Sequence, residues 1–222
     1  MDFFFIICDN CQLVKHNSEF RYEGKYKCPN CNRIWAAGTL FFDIRITGLL
    51  KIIRHLHKIP PIDTKTKYCS YISKKCDMGI DKKITDEYLH QLPIIVFFCS
   101  LGEVLLLHFF EKLMFKKGIK SDEQDKYFSK HLSISKRVQD LFPKLVEVTW
   151  LEAMNEISKN SNYDHNKTSG FYLKVNKVRN LFLHEGIKWA IEDDMPEKCM
   201  EYRSPLLHLF VDLHNKYIAD IK

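Results

Sequence analysis

Two groups of residues in this chain have types and spacings that could do chemistry. The first is Cys8-Asp9-Asn10-Cys11 with Cys28-Pro29-Asn30-Cys31, a C-x2-C, x16, C-x2-C array. Each pair forms a tight knuckle, and two knuckles offer four thiolates, the closed tetrahedral ligand set of one structural zinc. Paired disulfides or a thioredoxin-like redox site fit less well, because no βαβ pattern surrounds either CxxC. The second group is Val178-Arg179-Asn180-Leu181-Phe182-Leu183-His184-Glu185-Gly186. It holds a guanidinium able to balance phosphate charge and an imidazole able to move a proton near neutral pH.

The element that must position the second group is a helix. Residues 171–191 carry Phe171, Val175, Val178 and Phe182 at helical spacing, an apolar stripe facing the core, with Gly170 and Pro196 as brackets. Asn176, Arg179, Asn180, Leu183, His184 and Ile187 fall on a second, mixed face suited to a partner surface. Arg179 and His184 are about 140° apart on the helical projection. One helix therefore makes an awkward complete site, whereas a two-fold dimer brings two such pairs together. A satisfied polar pair on a helix surface is the plain alternative.

The R-N-L-F-L-H block resembles the signature of the HEPN superfamily, small helical domains many of which are ribonucleases. The resemblance rests on Arg179, the Asn180 that follows it, His184, the glycine shortly after, and a place in the penultimate helix; it covers roughly residues 86–222. Arg203 and His208 repeat the R-x4-H spacing with Pro205 between them, and that match is taken as accidental. The resemblance implies a homodimeric endoribonuclease that needs no metal for cleavage. A ribose 2′-OH would attack the neighbouring phosphate to leave a 2′,3′-cyclic phosphate, His184 would handle protons, Arg179 would stabilise the developing charge, and Asn180 would position the phosphate or the histidine. It also implies RNA as the partner, and a context of toxins or phage-defence effectors held by an antitoxin or other regulator.

The remaining pattern predicts a mainly α protein: a small β zinc ribbon over residues 1–46, a basic connector over 47–85, and an HEPN-like bundle of about five helices over 86–222. In the ribbon, Phe20-Arg21-Tyr22 and Tyr26 belong to short strands. A strand is predicted over Thr39–Ile46 and a basic amphipathic helix over Gly48–Leu56, ended by Pro60-Pro61. Leu92 to Phe115 is the most apolar stretch, with Pro93 near a helix start; Glu103, His108, Glu111 and Lys112 make it a buried core helix rather than a membrane span. Glu103 is the carboxylate to watch, either paired with Arg179 or pointing outward. Two helical patterns, 127–141 and 144–159, are separated by Pro143, Trp150 is a core anchor, and Ser204-Pro205 opens the last helix. His131 and His165 have no evident chemical neighbours.

At 222 residues and 45% hydrophobic content the chain can bury a sizeable core. Eight cysteines fit a reducing, cytoplasmic setting, since MDFFFIICDNC lacks a basic leader and a cleavage site. The net charge of +6 is concentrated between residues 45 and 83, where ten basic residues face Asp63, Asp77 and Asp81. Lys51, Arg54, Lys58, Lys74 and Lys75 are candidate phosphate contacts there, with a solvated face as the equal alternative. Cys69 and Cys76 show no recognised ligand spacing with His55, His57 or His90 and stay unassigned.

Two other functions compete with the ribonuclease. One is a non-catalytic nucleic-acid- or protein-binding dimer; the other is a nucleotide sensor that uses Arg179 on a phosphate. Unaltered behaviour of Arg179 and His184 variants would favour the first, and tight ligand binding without turnover the second.

Overall fold

A computed structural model describes residues 4–58, 82–185, 191–192 and 194–220, with the backbone alone at 82–91 and 185. Lys74, Lys75, Cys69, Cys76 and Ile187 lie outside the described residues, as does the side chain of His90.

The cysteine array folds as two hairpins. β1 (Phe5–Ile7) pairs antiparallel with β2 (Val14–His16) and with β6 (Thr39–Leu40). After the single-turn α1 (Asn17–Phe20), β3 (Arg21–Tyr22), β4 (Lys25–Lys27) and β5 (Ile34–Trp35) form a second antiparallel sheet. Tyr26 and Trp35 stack at 6.0 Å, and Phe20 meets Trp35 edge-on at 5.5 Å. The strand predicted over Thr39–Ile46 is confined to two residues. Asp43 stops it by accepting backbone N–H bonds from Arg45 (2.8 Å) and Ile46 (3.2 Å), which starts a helix instead.

That helix, α2 (Ile44–Lys58), buries Ile46 and Ile53 and packs on α3 (Lys82–Lys116). α3 is the centre of the fold and also packs against α8 (His165–Glu185) and α9 (Met195–Tyr217). It contains the stretch Leu92–Lys116, long and apolar enough to cross a membrane, yet more than half of that stretch is buried within the fold. Between α3 and α8 lie α4 (Ser121–Lys130), α5 (Ile134–Lys136), a π turn (Arg137–Leu141), α6 (Phe142–Val146) and α7 (Trp150–Ser158). The protein is mainly α, with two small sheets near residue 5 to residue 40.

Four prolines and glycines act differently from their sequence reading. Pro93 lies inside α3. Pro143 does not separate two helices: it falls in α6, which continues from the π turn with Leu141 and Phe142 in helical backbone, and the break comes at Glu147, whose φ is 69°. Gly170 lies inside α8, which begins at His165 rather than at 171. Pro205 lies inside α9, which starts at Met195 with Pro196 in its first turn. Burial of Leu206, Leu207, Leu209, Phe210 and Leu213 holds α9 together across the roughly 3 kcal/mol that an interior proline costs.

The ribbon and the helices share one core. Phe5, Ile7, Val14, Phe41 and Phe42 belong to the same buried cluster as α3 and α9. Asn215 spans the junction, accepting from Val14 N and donating to Val14 O, both at 2.8 Å. Trp150 anchors the far side, donating from Nε1 to Ser169 Oγ at 2.6 Å.

Candidate functional site

The two CxxC knuckles have the same backbone. Cys8 N donates to Leu13 O (2.9 Å) and Gln12 N to Cys8 O (2.8 Å); Cys28 N donates to Arg33 O (2.9 Å) and Asn32 N to Cys28 O (3.0 Å). Gln12 and Asn32 occupy matching left-handed positions, with φ of 59° and 60°. The turns bring Cys8, Cys11, Cys28 and Cys31 Sγ within 4.8 Å of one another, a set able to hold one metal ion. Cys8 to Cys31 is 3.6 Å and Cys11 to Cys28 is 3.5 Å. These are far too long for a disulfide, and close to the ~3.8 Å edge of a sulfur tetrahedron with metal–sulfur bonds of about 2.3 Å. Burial pushes the Cys28 thiol up to about 12, while the Asn10 side chain draws Cys31 down to about 6. A divalent ion bound there would override that split and favour four thiolates.

The knuckle is tied to the helices by main-chain bonds. His214 Nε2 donates to Gln12 O at 2.9 Å, Asp220 N to Cys11 O at 2.9 Å, and Asn30 Nδ2 to Asp220 O at 3.1 Å. Phe41 lies edge-on to His108 (5.2 Å) and His214 (4.7 Å). Burial lowers both imidazoles to about 4. Among the described residues the buried His214 Nδ1 and His108 Nε2 have no partner, so a second proton on either ring would find no acceptor there.

The second site is the seam between α3 and α8. Tyr172 is buried against Gly102, where an added Cβ would come within 2.1 Å of the tyrosine ring. That close approach sets Glu103 beside Arg179, and the two form an ion pair between Oε1 and Nη2. Asn176 Nδ2 reaches the same carboxylate oxygen at 3.5 Å, and Asn180 Nδ2 donates to Asn176 Oδ1 at 3.4 Å. The Arg179 side chain is 16% exposed, and among the described residues its buried Nε has no hydrogen-bond partner. Burial pushes the neighbouring Cys99 thiol up to about 12 and raises Tyr172 well above the ordinary phenol range.

Glu103, Asn176, Arg179 and Asn180 line a pocket of about 280 Å³. Arg137 and Ser133 line its other wall, and sequence reasoning singled out neither. Ser133 caps α5, its Oγ accepting from Lys136 N at 3.3 Å. His184 is exposed and is not part of the pocket's wall. Comparisons with protein-family models, with curated proteins and with solved structures found no match. The site therefore has to be understood from its own geometry: a fixed cation at the wall of an open pocket, with an imidazole one and a half turns further along the same helix.

Of the candidate phosphate contacts, Lys51, Arg54 and Lys58 are exposed on α2. They are not gathered at the Arg179 pocket. His165, left without neighbours by the sequence, is buried with Nε2 2.7 Å from Asp212 Oδ2 and its backbone N–H donating to Ser158 Oγ at 3.0 Å. This contact ties the start of α8 to α9. The partners are 47 positions apart, beyond any local pattern.

Proposed function

We propose that this protein is an HEPN-type endoribonuclease, active as a two-fold homodimer and needing no metal for cleavage, with one zinc ion held by Cys8, Cys11, Cys28 and Cys31 as scaffolding. The observation that carries the reading is Arg179, fixed by Glu103 at the wall of an open pocket and followed on the same helix by exposed His184. Five residues of helix separate the two by about 7.5 Å of rise and 140° of rotation. In one chain they diverge, and a second copy of α8 supplies the imidazole that converges on the guanidinium. Leu132, 77% exposed at the pocket's rim, and Leu183, 50% exposed beside His184, give that dimer apolar contacts.

In the reaction, the ribose 2′-oxygen bonds to the adjacent phosphorus and the bond to the 5′-oxygen breaks. One imidazole takes the 2′-hydroxyl proton, and the other copy's imidazole gives a proton to the departing 5′-oxygen. Arg179 balances the charge that builds on the non-bridging oxygens, while Glu103 and Asn176 hold it in place. Asn180, exposed at the pocket's edge, positions the phosphate. Dependence on the 2′-hydroxyl restricts cleavage to RNA. Lys51, Arg54 and Lys58 on α2 extend capture beyond the pocket.

The test is the purified full chain with single-stranded RNA and the matching DNA, without added divalent cations. RNA should be cut to 2′,3′-cyclic phosphate ends and DNA spared, and Arg179→Ala or His184→Ala should each abolish cutting while the dimer persists. Cleavage that requires Mg²⁺, or that survives both substitutions, overturns the reading. The separation of His184 from the pocket within one chain favours a non-catalytic RNA-binding dimer as the second reading, and silent variants with retained RNA binding would select it.

A further inference from the structure

The Arg179 pocket is one end of a longer groove. It shares Ile134, Ser135, Asn176 and Asn180 with a second cavity of about 470 Å³, which shares Val138, Gln139 and Leu173 with a third of about 470 Å³. The three run along α8 from Arg179 back to Gly170, about 15 Å of helix. The opposite wall is α5, the π turn and α6. π turns are uncommon in helices and concentrate at functional sites.

The two ends differ in chemistry. Arg137, Arg179 and Lys177 bring three cations to the groove against a single carboxylate, Glu103, which Arg179 already holds. Arg137 donates from Nε to His131 O at 2.9 Å, and its guanidinium lies over the Phe128 ring at 5.8 Å. Among the described residues that is its one side-chain hydrogen bond, and no carboxylate pairs with it, so the Nη groups of a braced guanidinium remain for an anion. Toward Gly170 the walls become Val138, Leu173, Pro143 and Met154, with Gln139 and Asn166 at the edge.

We propose that this groove holds single-stranded RNA, with Arg137 as a second phosphate-binding cation beside Arg179 and the apolar end receiving a base of the same strand. The inference rests on the ribonuclease reading and names how that site takes its substrate. A braced cation binds phosphate with little ordering cost, and apolar walls with amide edges accept a base face and its hydrogen-bonding rim. Only an unstacked strand can place a base there, so a duplex is excluded.

The probe is a fluorescent single-stranded 2′-O-methyl oligonucleotide, which lacks the attacking hydroxyl and cannot be cut. Its affinity is measured against salt for wild type, Arg137→Gln, Arg137→Lys and Gln139→Glu in the full chain, with thermal melts as a fold check. Arg137→Gln should weaken binding roughly tenfold at low salt, as loss of one charge-assisted contact does. It should also reduce the magnitude of the slope of log affinity against log salt by about 0.7. Arg137→Lys should keep most of the affinity. Gln139→Glu, at an exposed position that does not support the fold, should weaken binding by adding charge to the groove, and it decides the matter if Arg137→Gln does not fold. Wild-type affinity and slope in both Arg137→Gln and Gln139→Glu overturn the inference, as does a change in sedimentation alone, which would make the groove a protein interface. Arg137-dependent binding without any cleavage of ordinary RNA leaves the inference standing and removes the ribonuclease reading. Cleavage indifferent to Arg137 and Gln139 does the reverse.

Discussion

The cysteine knuckle and the Arg179 groove are built on opposite principles. At the knuckle, paired backbone turns close four sulfurs on a common centre, and the surrounding carbonyls of Cys11 and Gln12 are taken up by Asp220 and His214. At the groove, Glu103 holds the Arg179 guanidinium through Nη2, and among the described residues no carboxylate pairs with Arg137. A closed polar site contributes stability and offers nothing to a ligand. An open one leaves donors for a ligand to satisfy. On this comparison a metal ion at the knuckle would serve the fold and the groove is the proposed binding site, and each half of that proposal can be broken.

The largest effect should come from the knuckle. Cys28→Ser should lower stability by several kcal/mol, on the scale at which structural zinc contributes to folding, and a melt with metal analysis should show loss of both transition and metal. His184→Ala should change stability by no more than the ~0.5 kcal/mol typical of exposed positions. If His184→Ala proves as damaging as Cys28→Ser, the division between the two regions fails.

Next in size is acid sensitivity at the junction. His108 and His214 are held neutral in the fold, with values near 4 against an ordinary 6.5. Between those values the unfolded chain binds more protons than the folded one, so this stability is fully present above 6.5 and is lost as pH falls toward 4. The loss amounts to on the order of 3 kcal/mol for each histidine. Denaturant midpoints measured from pH 7 to pH 4.5 should decline, and His214→Gln should flatten part of that decline.

Smaller effects belong to the seam. Gly102→Ala drives a methyl into the Tyr172 ring and should cost about 1–3 kcal/mol, with loss of RNA cleavage because α8 must shift away from Glu103. Glu103→Gln should cost about 1 kcal/mol, limited by the one-third exposure of the carboxylate, yet reduce cleavage at least as much as Gly102→Ala does. Smallest is Leu183→Asp: half exposed in one chain, it should leave the monomer's melt unchanged while shifting sedimentation from dimer to monomer.

The two regions also differed in how far the sequence revealed them. The knuckle is local: its ligands come in pairs two positions apart, and spacing alone brought Cys8, Cys11, Cys28 and Cys31 together. Glu103 stood out because a carboxylate in so apolar a run needs a partner, and Arg179 is one of the two possibilities that were open. Asp212 and the close fit of Tyr172 on Gly102 carry no local mark, since each meets its partner through the packing of separate helices, and Arg137, though braced locally by His131 and Phe128, shares a pocket wall with Glu103 and Arg179 only in the folded chain. Helix ends misled for a related reason. Gly170 and Pro205 are breakers by propensity, but the packing of α8 and α9 on α3 outweighs a local cost of about 1 to 3 kcal/mol.

Asn215 and Val14, joined by two hydrogen bonds, are 201 positions apart, and this separation has a consequence for synthesis on the ribosome. The cysteine hairpins emerge early, with all four candidate metal ligands in place by residue 31. Phe5, Ile7, Val14 and Phe41, however, wait for α9 to cover them. At about 5–20 residues per second the wait lasts roughly 10–40 s. Throughout it an apolar sheet face is uncovered on the nascent chain, a period in which a holding chaperone would have its target and in which slow translation would favour aggregation over folding.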